Sequence, residues 1–409
     1  MKIFVQIFFM VNIVNGFSQG YWTQKAIFPG TARFDAMSFS IGMKGYVIGG
    51  SCTSGLLQDF WEYDAVSNSW QQKSNFAGNN RCQGVSFSIG TKGYIGTGAT
   101  GAGLGYNDFW EYDTLTDSWT QKASLPSNGR YGAAGFSIGN KGYIGAGQGG
   151  SPNTRYNDFW EYDPALNSWT QKANMPVARA YGFGLSIGSK GYIGTGNDSI
   201  PPTYTRDDFL EYDPATDNWV SKTSFPGGKR ADIDGGCFSI GNLGYVGTGT
   251  YQGNFYNSFW QYNPSTDTWI SVPGLLGVAR AGTSNFSINN RGYIVLGSAG
   301  TYLNDLWEYT DTTSGEGVNE VANKSKVFLN VYPNPSNGVV TLKYELPKGE
   351  KEGEIILYNP QGGEVKRYKV DDTFNDILLD NTMLPAGVYF YQLQTAKGAA
   401  GSKKVVILH

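Results

Sequence analysis

Between residues 20 and 310 the chain is built of apolar runs four to seven residues long. They are rich in aromatic and β-branched types, and each is closed by Gly, Asn, Asp or Pro. No window shows a convincing 3.6-residue period, so the pattern predicts short strands and no helices. One stretch, residues 130–172, shows the unit. Arg130 leads an apolar run that ends at Ile138, and Gly-Asn-Lys-Gly turns the chain into a second run from Tyr143 to Gly147. After a variable loop come a third run from Asp158 to Asp163, the turn Pro-Ala-Leu-Asn, and a fourth run from Ser168 to Lys172. Four short strands joined antiparallel are expected.

This unit recurs. The Asp-Phe-Trp-Glu-Tyr-Asp segment centred on Trp61 returns at Trp110, Trp160, Leu210, Trp260 and Trp307, in steps of 49, 50, 50, 50 and 47. A fourth-strand tryptophan recurs as Trp22, Trp70, Trp119, Trp169, Trp219 and Trp269, and a Gly-Tyr pair as Tyr46, Tyr94, Tyr143, Tyr192, Tyr245 and Tyr293. A single four-stranded sheet cannot bury both faces. Six of them stacked about an axis can, so an all-β, six-bladed β-propeller is expected. The phase of the repeats predicts how the ring closes. The first copy opens with the fourth-strand sequence Trp22-Thr-Gln-Lys, and the sixth stops after its third strand at Tyr309. Residues 20–26 should therefore pair with residues 304–310 as the outer strand of the last blade.

Composition narrows the chemistry. The chain has 409 residues, 57 of them Gly and 61 aromatic (23 Phe, 11 Trp, 27 Tyr), with 31 basic against 34 acidic side chains and a net charge of −3. That balance offers no electrostatic case for nucleic acid. The single histidine is His409, so Ser-His-Asp and Cys-His nucleophiles and histidine-rich metal sites lack their parts; no metal and no cofactor are expected. Lys2 followed by the apolar stretch 3–14, broken only by Gln6 and Asn12, and the small Gly16 and Ser18 predicts a signal peptide over residues 1–18, cleaved near Ser18 or near Gly16. No later segment has the length of a transmembrane helix. Export permits disulfides, and Cys52 and Cys82 fall on one face of neighbouring copies, where a bridge is one of two readings; Cys237 reads as a small buried residue.

The recurring pre-strand Arg, the Gly-rich end of the second strand, the third-strand Tyr followed by an Asp/Asn-Pro or equivalent turn, and the fourth-strand Trp resemble the kelch family. The resemblance runs over residues 20–310, within an expected propeller domain of residues 19–310. The family's double glycine is intact at Gly49-Gly50, while later copies read Gly-Thr-Gly or Gly-Ala-Gly and the sixth Val-Leu-Gly. The resemblance implies either a binding propeller or one of the family's enzymes. Its copper oxidases need two propeller histidines and are excluded; a sialic-acid epimerase (mutarotase) stays open.

After a polar stretch read as a linker (residues 311–326), residues 327–409 hold about seven strand candidates, which predicts a small Ig-like antiparallel β-sandwich. Its landmarks are Tyr332-Pro-Asn-Pro-Ser-Asn-Gly338 (Pro333, Asn334, Pro335, Gly338), Leu384-Pro-Ala-Gly-Val-Tyr389 (Gly387, Tyr389) and the pair Lys403, Lys404. They resemble the C-terminal sorting domain of type IX (Por) secretion cargo. That resemblance implies the type IX machinery as a partner and a protein secreted from, or held on the outer-membrane surface of, a Gram-negative bacterium.

Candidate sites follow from the repeats and from what breaks them. Gly96-Thr-Gly-Ala-Thr-Gly101 and Gly145-Ala-Gly-Gln-Gly-Gly150 match a dinucleotide pattern but lead into strands, with no helix N-terminus to hold a pyrophosphate. The arginines Arg33, Arg81, Arg130, Arg179 and Arg280 either ring one channel mouth or pair with Asp59, Asp108, Asp158, Asp208 and Asp305. In the fifth copy Asp232 is read at the arginine position and Ser258 at the aspartate position, a joint loss that favours pairs. Repeat-breaking residues mark a ligand face around copies three to five: Arg155, Arg206, Arg230, Asp232 and Asp234, with Tyr156 and Tyr204 suited to stacking on sugars. The expected function is binding of an extracellular glycan or protein. The epimerase alternative would use Arg206 or Arg230 on a carboxylate, and Asp232 or Asp234 to move protons.

Overall fold

The computed structural model describes residues 20–409 except 103, 151–153, 199–203, 234, 313–328, 333–335, 337–338, 347–348, 360–363, 396–397 and 409. Two compact units, residues 1–316 and 317–409, divide the chain. The expected signal peptide, and the expected linker beyond Thr312, lie outside the described residues. Asp311 closes the third strand of the last blade, Leu306–Asp311.

In the first unit the described residues form six antiparallel blades, each with four strands running from innermost to outermost; in blade 3 a fifth, two-residue strand, Thr154–Arg155, also pairs with the second. Blade 1 is Met37–Ile41, Lys44–Ile48, Phe60–Asp64 and Ser69–Lys73; blades 2 to 5 repeat that order. Blade 6 takes Ser284–Ile288, Arg291–Val295 and Leu306–Asp311 from the end of the repeat region and its outer strand, Gly20–Gln24, from the beginning, with Trp22 opposite Tyr309. Trp22 sits in a cage of Phe238, Phe259 and Tyr309, with centroids 4.9 to 6.1 Å away, and its indole N–H donates to Pro273 O at 2.9 Å. This one ring ties the N-terminal strand both to its own blade and to blade 5.

Two circles of backbone hydrogen bonds close the wheel. In one, the second residue after each pre-strand arginine donates its N–H to the matching carbonyl of the preceding blade: Gln83 to Asp35, Gly132 to Gln83, Tyr181 to Gly132, Asp232 to Tyr181, Gly282 to Asp232, and Asp35 to Gly282, at 2.8 to 3.1 Å. All six residues have φ between 54° and 61°. That left-handed conformation turns each amide toward its neighbour, and Asp and Gly tolerate it at lowest cost. In the other, the glycine after each second strand donates to the arginine carbonyl of the next blade, from Gly50 to Arg81 round to Gly297 and Arg33. Gly98, at φ 105°, is needed there, since a Cβ would stand 2.9 Å from Cys82 O.

Packing between blades explains the Gly-Tyr pair. A Cβ on Gly45, Gly93, Gly142, Gly191 or Gly292 would lie 2.1 to 2.4 Å from a ring carbon of Phe286, Phe39, Phe87, Phe136 or Phe238, an inner-strand residue of the preceding blade. The glycine is the slot that admits that ring. Where six inner strands converge, small residues prevail: Ser38 Oγ donates to Asn285 O and Ser86 Oγ to Ser38 O, at 2.6 and 2.7 Å, sewing neighbouring blades together.

The second unit is a sandwich of two antiparallel sheets. Leu329–Tyr332, Val339–Tyr344 and Asp376–Asp380 form one; Glu364–Asp371, Glu352–Tyr358, Gly387–Thr395 and Gly398–Ile407 form the other. Val340, Leu342, Ile355, Leu357, Tyr391, Leu393 and Val405 meet in its core. Buried Asn381 donates to the Tyr391 hydroxyl at 2.6 Å. Tyr389 is buried and donates its hydroxyl to Pro385 O, two residues before Gly387. Pro333, Asn334, Pro335 and Gly338 lie outside the described residues, as do the side chains of Lys403 and Lys404.

Candidate functional site at the propeller mouth

The pre-strand arginines do not present a ring to solvent. Arg33, Arg81, Arg130, Arg179 and Arg280 are fully buried, and each grips its aspartate in a two-pronged pair. A third N–H contact goes to the carbonyl of a left-handed residue near the end of the second strand, as from Arg130 to Ala146 O at 2.9 Å. Burial alone would raise the Asp158 carboxyl, yet the Arg130 hydrogen bonds hold it below the usual carboxylate range, and the Arg33 and Arg280 bonds do the same for Asp59 and Asp305. These pairs brace the loops.

The fifth blade corrects the expected alignment. Arg230, not Asp232, holds its arginine position: it is buried, donates to Thr248 O at 2.9 Å and contacts Ser258 Oγ at 2.8 Å. Only the carboxylate is lost there. The offset arises because Cys237, which faces Val246 as Ser38 faces Val47, stands seven residues after Arg230, whereas Ser38 stands five after Arg33. Two extra residues separate Asp232 from Cys237.

Asp232 consequently falls in the first circle, at the mouth of the axis. With Asp35, Gln83 and Gly282 it lines a pocket of about 280 Å³ completed by Phe34, Phe255, Thr250, Ala281 and Ser298. Gly282 lies between the two acids in the circle, and a Cβ on it would stand 2.4 Å from Asp35 Oδ1, so the Asp35 carboxylate leans over the glycine. Gln83 Nε2 donates to Asp35 Oδ2 at 2.7 Å. The Asp232 side chain has no hydrogen-bond partner among the described residues, and burial pushes its carboxyl up to about 6. Beneath them the inner strands enclose a smaller axial cavity of about 90 Å³, whose lining again includes Asp35 and Gln83. Among the described residues no group of His, Cys, Asp and Glu has the arrangement of a metal site.

The other expected ligands scatter. Arg206 is spent on buried Asp198, at 2.6 Å, and on Asp208, at 3.1 Å; blade 4 has Leu210 where blades 1, 2, 3 and 6 have a tryptophan that donates to the matching aspartate, and the Arg206 charge stands beside Asp208 instead. Tyr156 lies flat against Arg130, 4.4 Å from its ring centre, as Tyr106 covers Arg81, so this tyrosine packs a brace. Arg155 ends a short hairpin opposite Gln148. Tyr204 is 54% exposed on its loop. Asp234 lies outside the described residues. Cys52, Cys82 and Cys237 are all buried and unbridged, which removes the Cys52–Cys82 bridge. The reading of the repeats missed Asp35, Gln83, Phe34 and Phe255. The first two vary in kind at one position of the circle, a signal that appears only after Arg230 is aligned correctly.

Comparison with known proteins bears on both units. The kelch motif matches residues 129–176, which hold blade 3, and the secretion system C-terminal sorting domain (Por_Secre_tail) matches residues 330–408. No curated protein matches the sequence significantly. Among solved structures, that of YjhT aligns with a TM-score of 0.58 at 17% identity, covering 68% of this chain and 95% of that one, a likeness of fold. No helix among the described residues is long and apolar enough to cross a membrane. The chain thus carries a kelch-repeat β-propeller followed by a Por sorting domain, which directs it through type IX secretion to the cell surface or the extracellular space.

Proposed function

We propose that the propeller is an exported binding module whose mouth pocket takes a glycan. The observation that carries this reading is the lining of that pocket. Phe34 and Phe255 offer apolar faces, while Asp35, Asp232, Gln83, Thr250 and Ser298 offer acceptors and donors, the mixture that a sugar ring with an apolar face and a hydroxyl edge requires. The six-blade ring holds Asp35 and Asp232 on fixed backbone, so little ordering is left for the ligand to impose. The expected signal peptide and the sorting domain agree with a ligand met outside the cell.

A second reading, the epimerase, draws support from one observation: the Asp232 carboxyl near 6 is poised to give and take protons at neutral pH. Arg206 pairs with Asp198 and Asp208 and Arg230 lies beneath Tyr256 and Phe225, and neither lines the pocket that holds Asp232, which weighs against the carboxylate-holding role this reading asks of them. A glycan screen of the full chain, followed by an anomerisation assay on any sialic acid that binds, separates the two. Binding without turnover supports the module. Turnover abolished by Asp232→Asn supports the enzyme, and no binding to any glycan refutes the first reading.

A further inference from the structure

In blades 1, 2, 3 and 6 the aspartate that meets the buried arginine also accepts a hydrogen bond from the third-strand tryptophan two residues on. Trp61, Trp110, Trp160 and Trp307 donate to Asp59, Asp108, Asp158 and Asp305 at 2.7 to 2.8 Å. Three N–H groups thus converge on one carboxylate. Blade 5 keeps every donor and replaces the carboxylate by Ser258. The hydrogen-bond acceptors of Arg230 are Gly227 O, Thr248 O and Ser258 Oγ, all neutral, and no carboxylate among the described residues forms an ion pair with it. Trp260 Nε1 is buried and has no acceptor among the described residues. Tyr256 and Phe225 lie 4.0 and 5.4 Å from the guanidinium. They cover the charge without neutralising it, and burial pushes the group down to about 10.

We infer that blade 5 binds a small monovalent anion, of the size of chloride, where the sister blades place an aspartate carboxylate, held by the Arg230 guanidinium, the Trp260 indole N–H and the Ser258 hydroxyl. The aspartate-to-serine change removes one negative charge and most of a carboxylate's volume, and leaves donors whose geometry the sister blades show to be right for oxyanion-like acceptors. A bare cation enclosed by neutral groups is costly, and an exchangeable counter-ion relieves that cost. The site does not depend on what occupies the mouth pocket.

The test is thermal unfolding of the full chain at constant ionic strength, with sodium gluconate replaced stepwise by sodium chloride. Chloride at about ten times its Kd should raise Tm by roughly 2–4 °C. Ser258→Asp, which restores the sister-blade residue, should lose that response and match or exceed the chloride-saturated Tm. Trp260→Phe, which keeps the ring and removes the N–H, should weaken the response, and crystals grown in bromide should show anomalous density between Arg230 and Trp260. Equal chloride responses in wild type and Ser258→Asp, or a water molecule and no bromide at that position, would overturn the inference.

Discussion

Asp232 has two duties. Its backbone serves the hydrogen-bonded circle, while its carboxyl lies in a pocket without a partner among the described residues and is raised to about 6 from the ordinary 3.8. A carboxyl whose folded value lies above its unfolded value gives the protein stability that is complete below pH 4 and lost as the pH rises through about 6. Asp232→Asn keeps the shape and tolerates φ 55° equally well. The variant should therefore exceed the wild type at pH 8, by up to roughly 3 kcal/mol, with the difference fading toward pH 4. Denaturant titrations at the two pH values check this; a constant difference would show that the carboxyl is not held back from ionising by burial.

At the scale of elements, the strands and their order were legible because each blade repeats the same spacing, and the outer Gly20–Gln24 strand followed from the phase of the copies. The site was less legible. Five arginines stand at the same distance from their inner strand, so the extra pair of residues after Asp232 hid that Arg230 is the fifth blade's member of the recurring set. Asp35 and Phe255 carry no repeat-breaking signature that distinguishes a pocket wall from a loop, and only the closing of the ring brings them together. The Gly-Tyr pair was visible as a marker, but its cause, a slot for the neighbouring blade's Phe, needs the packed structure. That cause is testable: Gly142→Ala should cost roughly 1–3 kcal/mol by crowding Phe87, and much less in a Phe87→Ala background, where the crowding atoms are gone. Additive costs in the double variant would mean that blades 2 and 3 do not meet through this contact.

For the molecule as a whole, two independent units divide the labour. The sandwich has its own core and needs nothing from the propeller to bury it. A chain ending at residue 316 should fold as a propeller with unchanged Tm yet remain in the periplasm, which fractionation of cells expressing the two lengths would show; its appearance outside the cell would remove the sorting role. The propeller's rim, braced by Arg-Asp pairs and the two amide circles, supports an exposed pocket with two acids and two aromatic rings. The claim that this pocket takes a glycan is tested most directly by calorimetric titration of the best glycan from the screen into wild type and Asp35→Asn/Asp232→Asn. The account predicts saturable binding that falls at least tenfold in the double variant, about 1.4 kcal/mol for lost charged hydrogen bonds, and equal affinities would contradict it.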